Sequence, residues 1–116
     1  MTNVASVSLE RQGNLTIAVV QVAELSSDIT EALVTQVAEV PQARLILDVS
    51  KVKFLNSVTL GGLVVLLRRI KQNKGYLALV GLSGHSLNII QVTGLQKVFE
   101  LYDSVEAAKE AFQGRQ

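Results

Sequence analysis

The chain has 116 residues, of which 48% are hydrophobic and 18% charged, and its formal net charge is +1. This composition supports one folded core, excludes a largely disordered chain, and gives no basis for a general affinity for nucleic acid or membranes. Because the sequence has no cysteine and no apolar run near the ~20 residues of a membrane span, we expect no disulfide or thiolate metal site and a cytoplasmic location.

Two strands and a turn are predicted near the N-terminus. Ala5, Val7 and Leu9 alternate with polar residues, which is the two-residue period of a half-buried strand. The run 15–22 is β-branched and apolar on both faces, which is typical of a more central strand. With a turn at 12–14 between them, these two segments predict a hairpin.

A first helix and a buried strand follow the hairpin. From Asp28 the apolar residues recur every three to four positions as far as Pro41, and Asp28 with Glu31 resembles a capping box. The segment RLILDVS then predicts a short strand that is covered on both faces. We interpret Asp48, within this segment, as an acceptor for backbone amides of the next loop. A catalytic acid is the alternative.

The segment KFLNSVT leads into a second predicted helix, which ends around 73–75. Ser57 lies just before or at the first turn, where its hydroxyl would accept a backbone hydrogen bond as a cap. Val65 and Leu66 lie off the main apolar stripe, so they either form a contact surface or belong to a wide buried face. The stripe itself consists of Leu60, Leu63, Val64, Leu67 and Ile70.

The remaining elements alternate between strand and helix. They are the strand YLALVGL, a helix from about 84–86 to Gly94, the strand KVFELY, and a last helix that begins with capping-box residues at 103–106. The complete order is β-β-α-β-α-β-α-β-α, which predicts an α/β fold with a mostly parallel or mixed sheet. We expect one domain over 1–116, with a core at about 4–113.

The sequence contains few candidates for chemistry. His85 is the one histidine, so a His-pair metal site is excluded, and we interpret it as an exposed or capping residue rather than a member of a catalytic triad. The segment GLSGHS resembles either an anion-binding nest or a turn with a helix cap, and we favour the turn. The carboxylates form no pair suited to general acid and base catalysis. We therefore predict no enzyme activity, no metal and no cofactor.

These features resemble the STAS domain of the anti-sigma factor antagonist type over nearly the whole chain. That family has an apolar strand ending in Asp-x-Ser, a serine at the start of a helix, a glycine-containing strand, and Thr-Gly-Leu before a short strand and the last helix. The resemblance implies a STAS-type fold, with a mixed four- to five-stranded sheet and about four helices mainly on one face. The matching residues are Asp48, Ser57, Leu60, Gly61, Gly81, Thr93, Gly94 and Leu95.

The resemblance also implies a function in bacterial transcription regulation. In that family, a serine kinase that uses ATP and is itself the anti-sigma factor phosphorylates the serine at the position of Ser57. The unphosphorylated antagonist binds this kinase and releases a sigma factor; phosphorylation ends the binding, and a phosphatase resets it. The implied partners are proteins rather than nucleic acid or membrane, and the implied state is a monomer or weak dimer.

The implied contact surface is the start of the second helix with neighbouring loops: Ser26, Asn56, Ser57, Val58, Thr59 and Gly61. Ser57 is the predicted phosphorylation site. Thr59 is the second candidate, with local hydrogen bonding as its other interpretation. The family usually has Asp where this chain has Asn56 and Ser26, and Ser/Thr and Gly where it has Val58 and Thr59. These departures suit an alternative function as a constitutive STAS subunit of a larger assembly, such as a stressosome or a lipid-transport complex.

Overall fold

The computed structural model describes residues 2–4 and 6–115, and the side chains of 6–115. Its strands form one mixed sheet in chain order, antiparallel from β1 to β3 and parallel from β3 to β6. The predicted α/β architecture with a mixed sheet is confirmed, with a short edge strand, β1, added to the predicted strands. Ala5 lies outside the described residues. The strands are β1 Thr2–Val4, β2 Val7–Gln12, β3 Leu15–Val20, β4 Arg44–Asp48, β5 Tyr76–Val80 and β6 Glu100–Tyr102.

The helices cover the two faces of the sheet unequally. The larger core contains buried residues of the first three helices, including Leu33, Leu63 and Ile90. The smaller core lies on the other face, where Ala108 and Phe112 of the last helix pack on the sheet. The predicted packing mainly on one face is therefore confirmed. The helices are α1 Ser27–Leu33, which continues as a π-helical turn at Val34–Ala38, α2 Ser57–Gln72, α3 Gly84–Val92 and α4 Val105–Gln113.

The central strand β4 shows why helices must pack on both faces of the sheet. Leu45 and Leu47 point into the larger core, and Ile46, between them, points into the smaller one. All three are fully buried. Successive side chains of a strand point to opposite faces, so a continuous apolar run requires helices on both sides.

Two predicted details of the helix ends have different outcomes. The prediction of a capping box between Asp28 and Glu31 is wrong. The N-cap of α1 is Ser26, whose side chain makes no cap hydrogen bond, and Asp28 lies inside the first turn. There its carboxylate still interacts favourably with the helix dipole. For the last helix, a cap within 103–106 is confirmed, because Ser104 Oγ accepts a hydrogen bond from Ala107 N at 3.1 Å, but a capping box is wrong there, since Ala107 has no side-chain acceptor to complete it.

The face that α2 buries is wider than its main apolar stripe. Leu66 is fully buried in the larger core, whereas its neighbour Val65 is 46% exposed. The contact-surface interpretation is thus wrong for Leu66, because α2 packs on both the sheet and α1. The predicted strand KVFELY is also shorter than expected: Leu95–Lys97 forms a 3-10 turn, and β6 begins only at Glu100.

Candidate functional site

The loops that precede α1 and α2 run side by side at one edge of the sheet. Lys53 N and Phe54 N both donate to Ala23 O, at 2.6 and 3.1 Å, and Leu25 N donates to Phe54 O at 3.4 Å. Glu24 and Phe54 form an isolated parallel bridge. This backbone pairing places the starts of the two helices next to each other.

The start of α2 is held by a complete capping box. Asn56 is the N-cap, and its Oδ1 accepts from Thr59 N at 2.9 Å. In return, Thr59 Oγ1 accepts from Asn56 N at 3.1 Å. The prediction that Ser57 caps this helix is therefore wrong. Asn is as effective an N-cap as Ser, and a hydroxyl three residues later completes the box here.

The two hydroxyls at this helix start have different environments. The Thr59 side chain is buried, with 1% of its surface exposed, and its hydroxyl donates to Asn56 O at 3.0 Å. Ser57 is the first residue of α2 and is exposed, and its side chain makes no hydrogen bond within residues 6–115. Of the two candidate phosphate acceptors, only Ser57 presents its hydroxyl to solvent.

Two exposed apolar side chains, Phe54 and Val58, lie close to Ser57 in the chain. Val58 is 67% exposed and Phe54 is 55% exposed, and the ring centroids of Phe54 and His85 lie 6.0 Å apart in a tilted contact. Sequence reasoning did not include Phe54 or His85 in the contact surface, because one aromatic residue in a polar loop carries no periodic signal. We name as the Ser57 surface the exposed residues Ser26, Phe54, Asn56, Ser57, Val58, Gly61 and His85.

An apolar groove between α1 and α2 adjoins the Ser57 surface. It has a volume of about 380 Å³, and its walls include Val34 of the π-helical turn together with Val58 and Val65 of α2. Gly62 lets the two helices approach closely, since a Cβ at this position would lie 2.4 Å from Thr30 Oγ1. The apolar part of the Ser57 surface is therefore extended by a concave region.

Asp48 has the structural function that we favoured from the sequence. Its Oδ1 accepts a hydrogen bond from Ser50 N at 2.9 Å, so the carboxylate holds the turn that follows β4. Gly81, with φ of +84°, passes close to this turn, where a Cβ would lie 2.7 Å from Ser50 Cβ. The turn of the Asp-x-Ser motif and the backbone at Gly81 therefore approach each other closely, which requires a residue without a Cβ at position 81.

The segment GLSGHS forms a turn and the beginning of α3. Ser83 is the N-cap, and the Ser86 hydroxyl donates to Ser83 O at 2.9 Å. Within residues 6–115, no group of three or more His, Asp or Glu side chains is placed to hold a metal ion. None of the helices described above is both long enough and apolar enough to cross a bilayer.

An ionic cluster lies at the opposite edge of the sheet, where the parallel strands begin. Glu100 Oε2 accepts from Arg115 Nη1 at 2.8 Å, and Glu100 Oε1 accepts from Tyr102 Oη at 2.8 Å. The hydrogen bond from Arg115 lowers the pKa of Glu100, against the opposing effect of burial. Burial and the hydrogen bond to Glu100 raise the pKa of Tyr102. This cluster anchors the end of α4 and is separate from the Ser57 surface.

The chain is similar in sequence to known proteins. The sequence model of the STAS domain matches residues 10–108. A Thermotoga neapolitana protein, named as a homologue of an anti-sigma factor antagonist, is 29% identical over 72 residues, or 62% of this chain and 64% of its own. The match thus spans less than two thirds of that relative.

Solved structures show the same fold. An anti-sigma factor antagonist from Mycobacterium paratuberculosis superimposes with a TM-score of 0.76 and 27% identity, covering 90% of this chain and 91% of its own. The antagonist SpoIIAA in its unphosphorylated form gives a TM-score of 0.69 with 16% identity, covering 94% of this chain and 99% of its own.

Proposed function

Because the chain belongs to the STAS domain family, we propose that it is an anti-sigma factor antagonist that binds a serine-kinase-type anti-sigma factor and thereby releases a sigma factor. Relatives that carry the antagonist name match it in sequence and in fold, which supports this proposal. The Ser57 surface is the proposed contact site, and phosphorylation of Ser57 is the proposed signal that ends binding. In this function the protein acts by binding and catalyses no reaction itself.

The observation that carries the proposal is the free, exposed hydroxyl of Ser57 on the first residue of α2. A kinase needs a hydroxyl that enters its active site without unfolding the substrate. Since Asn56 provides the helix cap, the Ser57 hydroxyl is not required for the stability of α2. Thr59, the second candidate acceptor, would have to leave its capping box and its buried position first.

A phosphate at Ser57 would act on the partner more than on the fold. It adds about −1.5 to −2 charges at pH 7, and the positive end of the α2 dipole tolerates this charge. Asn56 is neutral where the family usually has Asp, so it does not repel the phosphate. On the partner side, the phosphate would lie beside the exposed side chains of Val58 and Phe54. An apolar contact there would have to exclude water from a highly charged group, which weakens binding.

Phosphate transfer is tested by incubating the purified chain with candidate kinases and ATP, followed by intact-mass measurement. We expect the wild type and Thr59→Ala to gain one phosphate and Ser57→Ala to gain none. Binding of the kinase partner, measured by calorimetry, should weaken about tenfold or more in Ser57→Asp. Gln113→Glu is the matched control, because it adds one negative charge at an exposed position on α4. Phosphorylation of Ser57→Ala, or equal binding by Ser57→Asp, would refute the switch at this residue.

A constitutive STAS subunit of a larger assembly is the second candidate. It is favoured by Val58, which places a 67% exposed apolar side chain where the family usually has Ser or Thr, beside the groove between α1 and α2. A permanent interface would cover such a side chain. Under this alternative the chain gains no phosphate, and its partner co-purifies equally with wild type and Ser57→Asp.

A further inference from the structure

A second groove lies along the C-terminal half of α2, facing the segment that leads into β6. Its volume is about 420 Å³. Val98, which is 47% exposed, lies across it from the apolar residues of the helix. We name this feature the basic groove, and its lining consists of Val64, Leu67, Arg68, Lys71, Gln72 and Val98.

The basic groove combines an apolar floor with positive charge. No Asp or Glu is part of its lining, and neither Arg68 nor Lys71 forms an ion pair with any residue in 6–115. Arg69, between them, is different, because it pairs with Glu39 at 3.4 Å. Glu100 is close enough for Lys71 to contribute slightly to lowering its pKa, but its carboxylate is paired with Arg115. The charges of Arg68 and Lys71 are therefore available to a partner.

Helix stability accounts for only part of this arrangement. A cation in the last turn interacts favourably with the helix dipole, and Lys71 is in that turn. Arg68 lies before the last turn, so its interaction with the helix dipole is weak. Neither the dipole nor helix propensity requires an exposed valine at position 98 opposite the two cations. The combination of apolar and basic groups is what a complementary ligand would recognise.

The shape of the groove indicates the kind of ligand. Val64 to Lys71 covers about 10.5 Å along the helix axis, which is two helical turns. Small-molecule sites usually bury about 70–90% of their ligand, and a trough between one helix and one loop is too open for that. An amphipathic helix binds in such a trough through apolar side chains at i, i+3 or i+4, and i+7. The near-neutral net charge of the chain argues against a membrane surface.

We propose that the basic groove binds an acidic amphipathic helix of a protein partner, with apolar side chains against Val64, Leu67 and Val98 and carboxylates beside Arg68 and Lys71. The groove begins about 10 Å from Ser57 along α2 and ends about 22 Å from it. A helix in the groove would therefore leave the Ser57 hydroxyl accessible. This second docking surface does not depend on phosphorylation at Ser57.

The test uses a fluorescein-labelled helical peptide of two to three heptads, with leucines at i, i+3 or i+4, and i+7 and glutamates on both sides of that stripe. Binding to the 116-residue chain is followed by fluorescence anisotropy. We expect saturable binding that weakens as NaCl is raised, since rim charges are screened by salt. A peptide with lysines in place of the glutamates should bind much more weakly.

Matched variants locate the binding. Arg68→Glu and Lys71→Glu should each weaken the acidic peptide roughly 5- to 30-fold, because an attraction becomes a repulsion. Lys109→Glu makes the same change of charge on α4, which packs on the other face of the sheet, and should change affinity less than twofold. Val98→Ser should weaken binding, whereas Val92→Ser, at an exposed position outside the groove, should not.

Three results would overturn the proposal: no saturable binding of the acidic peptide, equal binding of the lysine peptide, or equal loss in Lys109→Glu and Arg68→Glu. Binding to phosphatidylglycerol vesicles in preference to the peptide would also overturn it. Circular dichroism of each variant shows whether a loss of binding comes from unfolding. If a glutamate variant does not fold, Arg68→Gln and Lys71→Gln remove the charge without reversing it, and unchanged affinity in both would equally refute the proposal.

Discussion

The start of α2 holds two hydroxyls, and a single side chain decides which of them is accessible. Asn56 Oδ1 accepts a hydrogen bond from the backbone N–H of Thr59, and the backbone N–H of Asn56 donates to the Thr59 hydroxyl. Thr59 is thereby buried as part of the cap, while Ser57 stays outside it. At the scale of the residue, the cap and the proposed switch are thus different side chains, and this separates the effects of mutating them.

Removing the cap should lower stability, whereas removing the Ser57 hydroxyl should not. We expect Asn56→Ala to lower the free energy of unfolding by about 1 kcal/mol, because the backbone amide of Thr59 loses its side-chain acceptor at the helix start. Asn56→Asp keeps an acceptor at the favourable end of the dipole and should remain near wild type. Ser57→Ala is the control and should change stability by less than ~0.5 kcal/mol. Urea denaturation measures all three, and a larger loss in Ser57→Ala than in Asn56→Ala would contradict this assignment.

At the scale of the element, the packing of α1 on α2 depends on one of two adjacent glycines. Gly62 faces α1 and has no room for a Cβ, since Thr30 Oγ1 would lie 2.4 Å away and Thr30 Cβ 2.9 Å away. Thr30 cannot turn aside easily, because its hydroxyl donates to Ser27 O at 3.0 Å and the side chain is 1% exposed. A Cβ at Gly61, by contrast, meets nothing within 4 Å.

The two glycines therefore form a matched pair for mutation. Gly61→Ala should stabilise the protein by about 0.5–1 kcal/mol, because alanine is the better residue in an exposed helix. Gly62→Ala makes the same chemical change but should destabilise by about 1–3 kcal/mol, because α1 has to shift away. Thermal unfolding of both variants gives the comparison. Stabilisation by Gly62→Ala would show that the two helices are not packed as closely as described.

At the scale of the whole molecule, the sheet separates a large core from a smaller one, and an ionic cluster holds the helix of the smaller core in place. Arg44 donates to Phe112 O at 3.1 Å and to Arg115 O at 2.9 Å, at the end of α4. The guanidinium of Arg115 lies 4.7 Å from the centroid of the Tyr76 ring and also binds Glu100. These contacts attach the C-terminal end of α4 to the starts of β4, β5 and β6.

The contribution of this cluster to stability should depend on pH. The pKa of Glu100 is lowered in the folded protein, chiefly by hydrogen bonds from Arg115, from an ordinary value of 4.5. A lowered carboxyl pKa stabilises the fold at pH values above the ordinary value, and this stabilisation is lost as the pH falls through the lowered pKa. Wild type should therefore be more stable than Glu100→Gln at pH 7, and the difference should shrink as the pH falls below 4.5.

Urea denaturation at a series of pH values measures this difference. Arg115→Ala is the matched background, because it removes the main cause of the lowered pKa. In that background, Glu100→Gln should have a smaller effect on stability at pH 7. A difference between wild type and Glu100→Gln that does not change with pH would contradict the assigned cause.

The sequence alone was sufficient for the alternation of strands and helices after β1 and for the fold class. Period-two and period-3.6 patterns reflect which side chains face the core, so they predicted the alternation of strands and helices and the α/β class. A cap of α4 within residues 103–106 was predicted because its signal is local, although Ser104 acts there as a simple cap and not as part of a capping box. A capping box was predicted for α1, where the N-cap Ser26 makes no side-chain cap hydrogen bond, and the cap of α2 was assigned to Ser57 instead of Asn56, since several polar side chains near each helix start compete for the same amides.

What the tertiary structure decided concerns residues that are distant in the chain. The sequence placed Ser57 at the start of a helix, but only the pairing of residues 23–25 with 53–54 brings Ser26 beside it. Likewise, Leu66 is buried because α2 packs on both the sheet and α1, and the basic groove exists because Val98 lies opposite Arg68. Local sequence determines which way a side chain points from its own backbone; burial and grooves depend on which other element lies there.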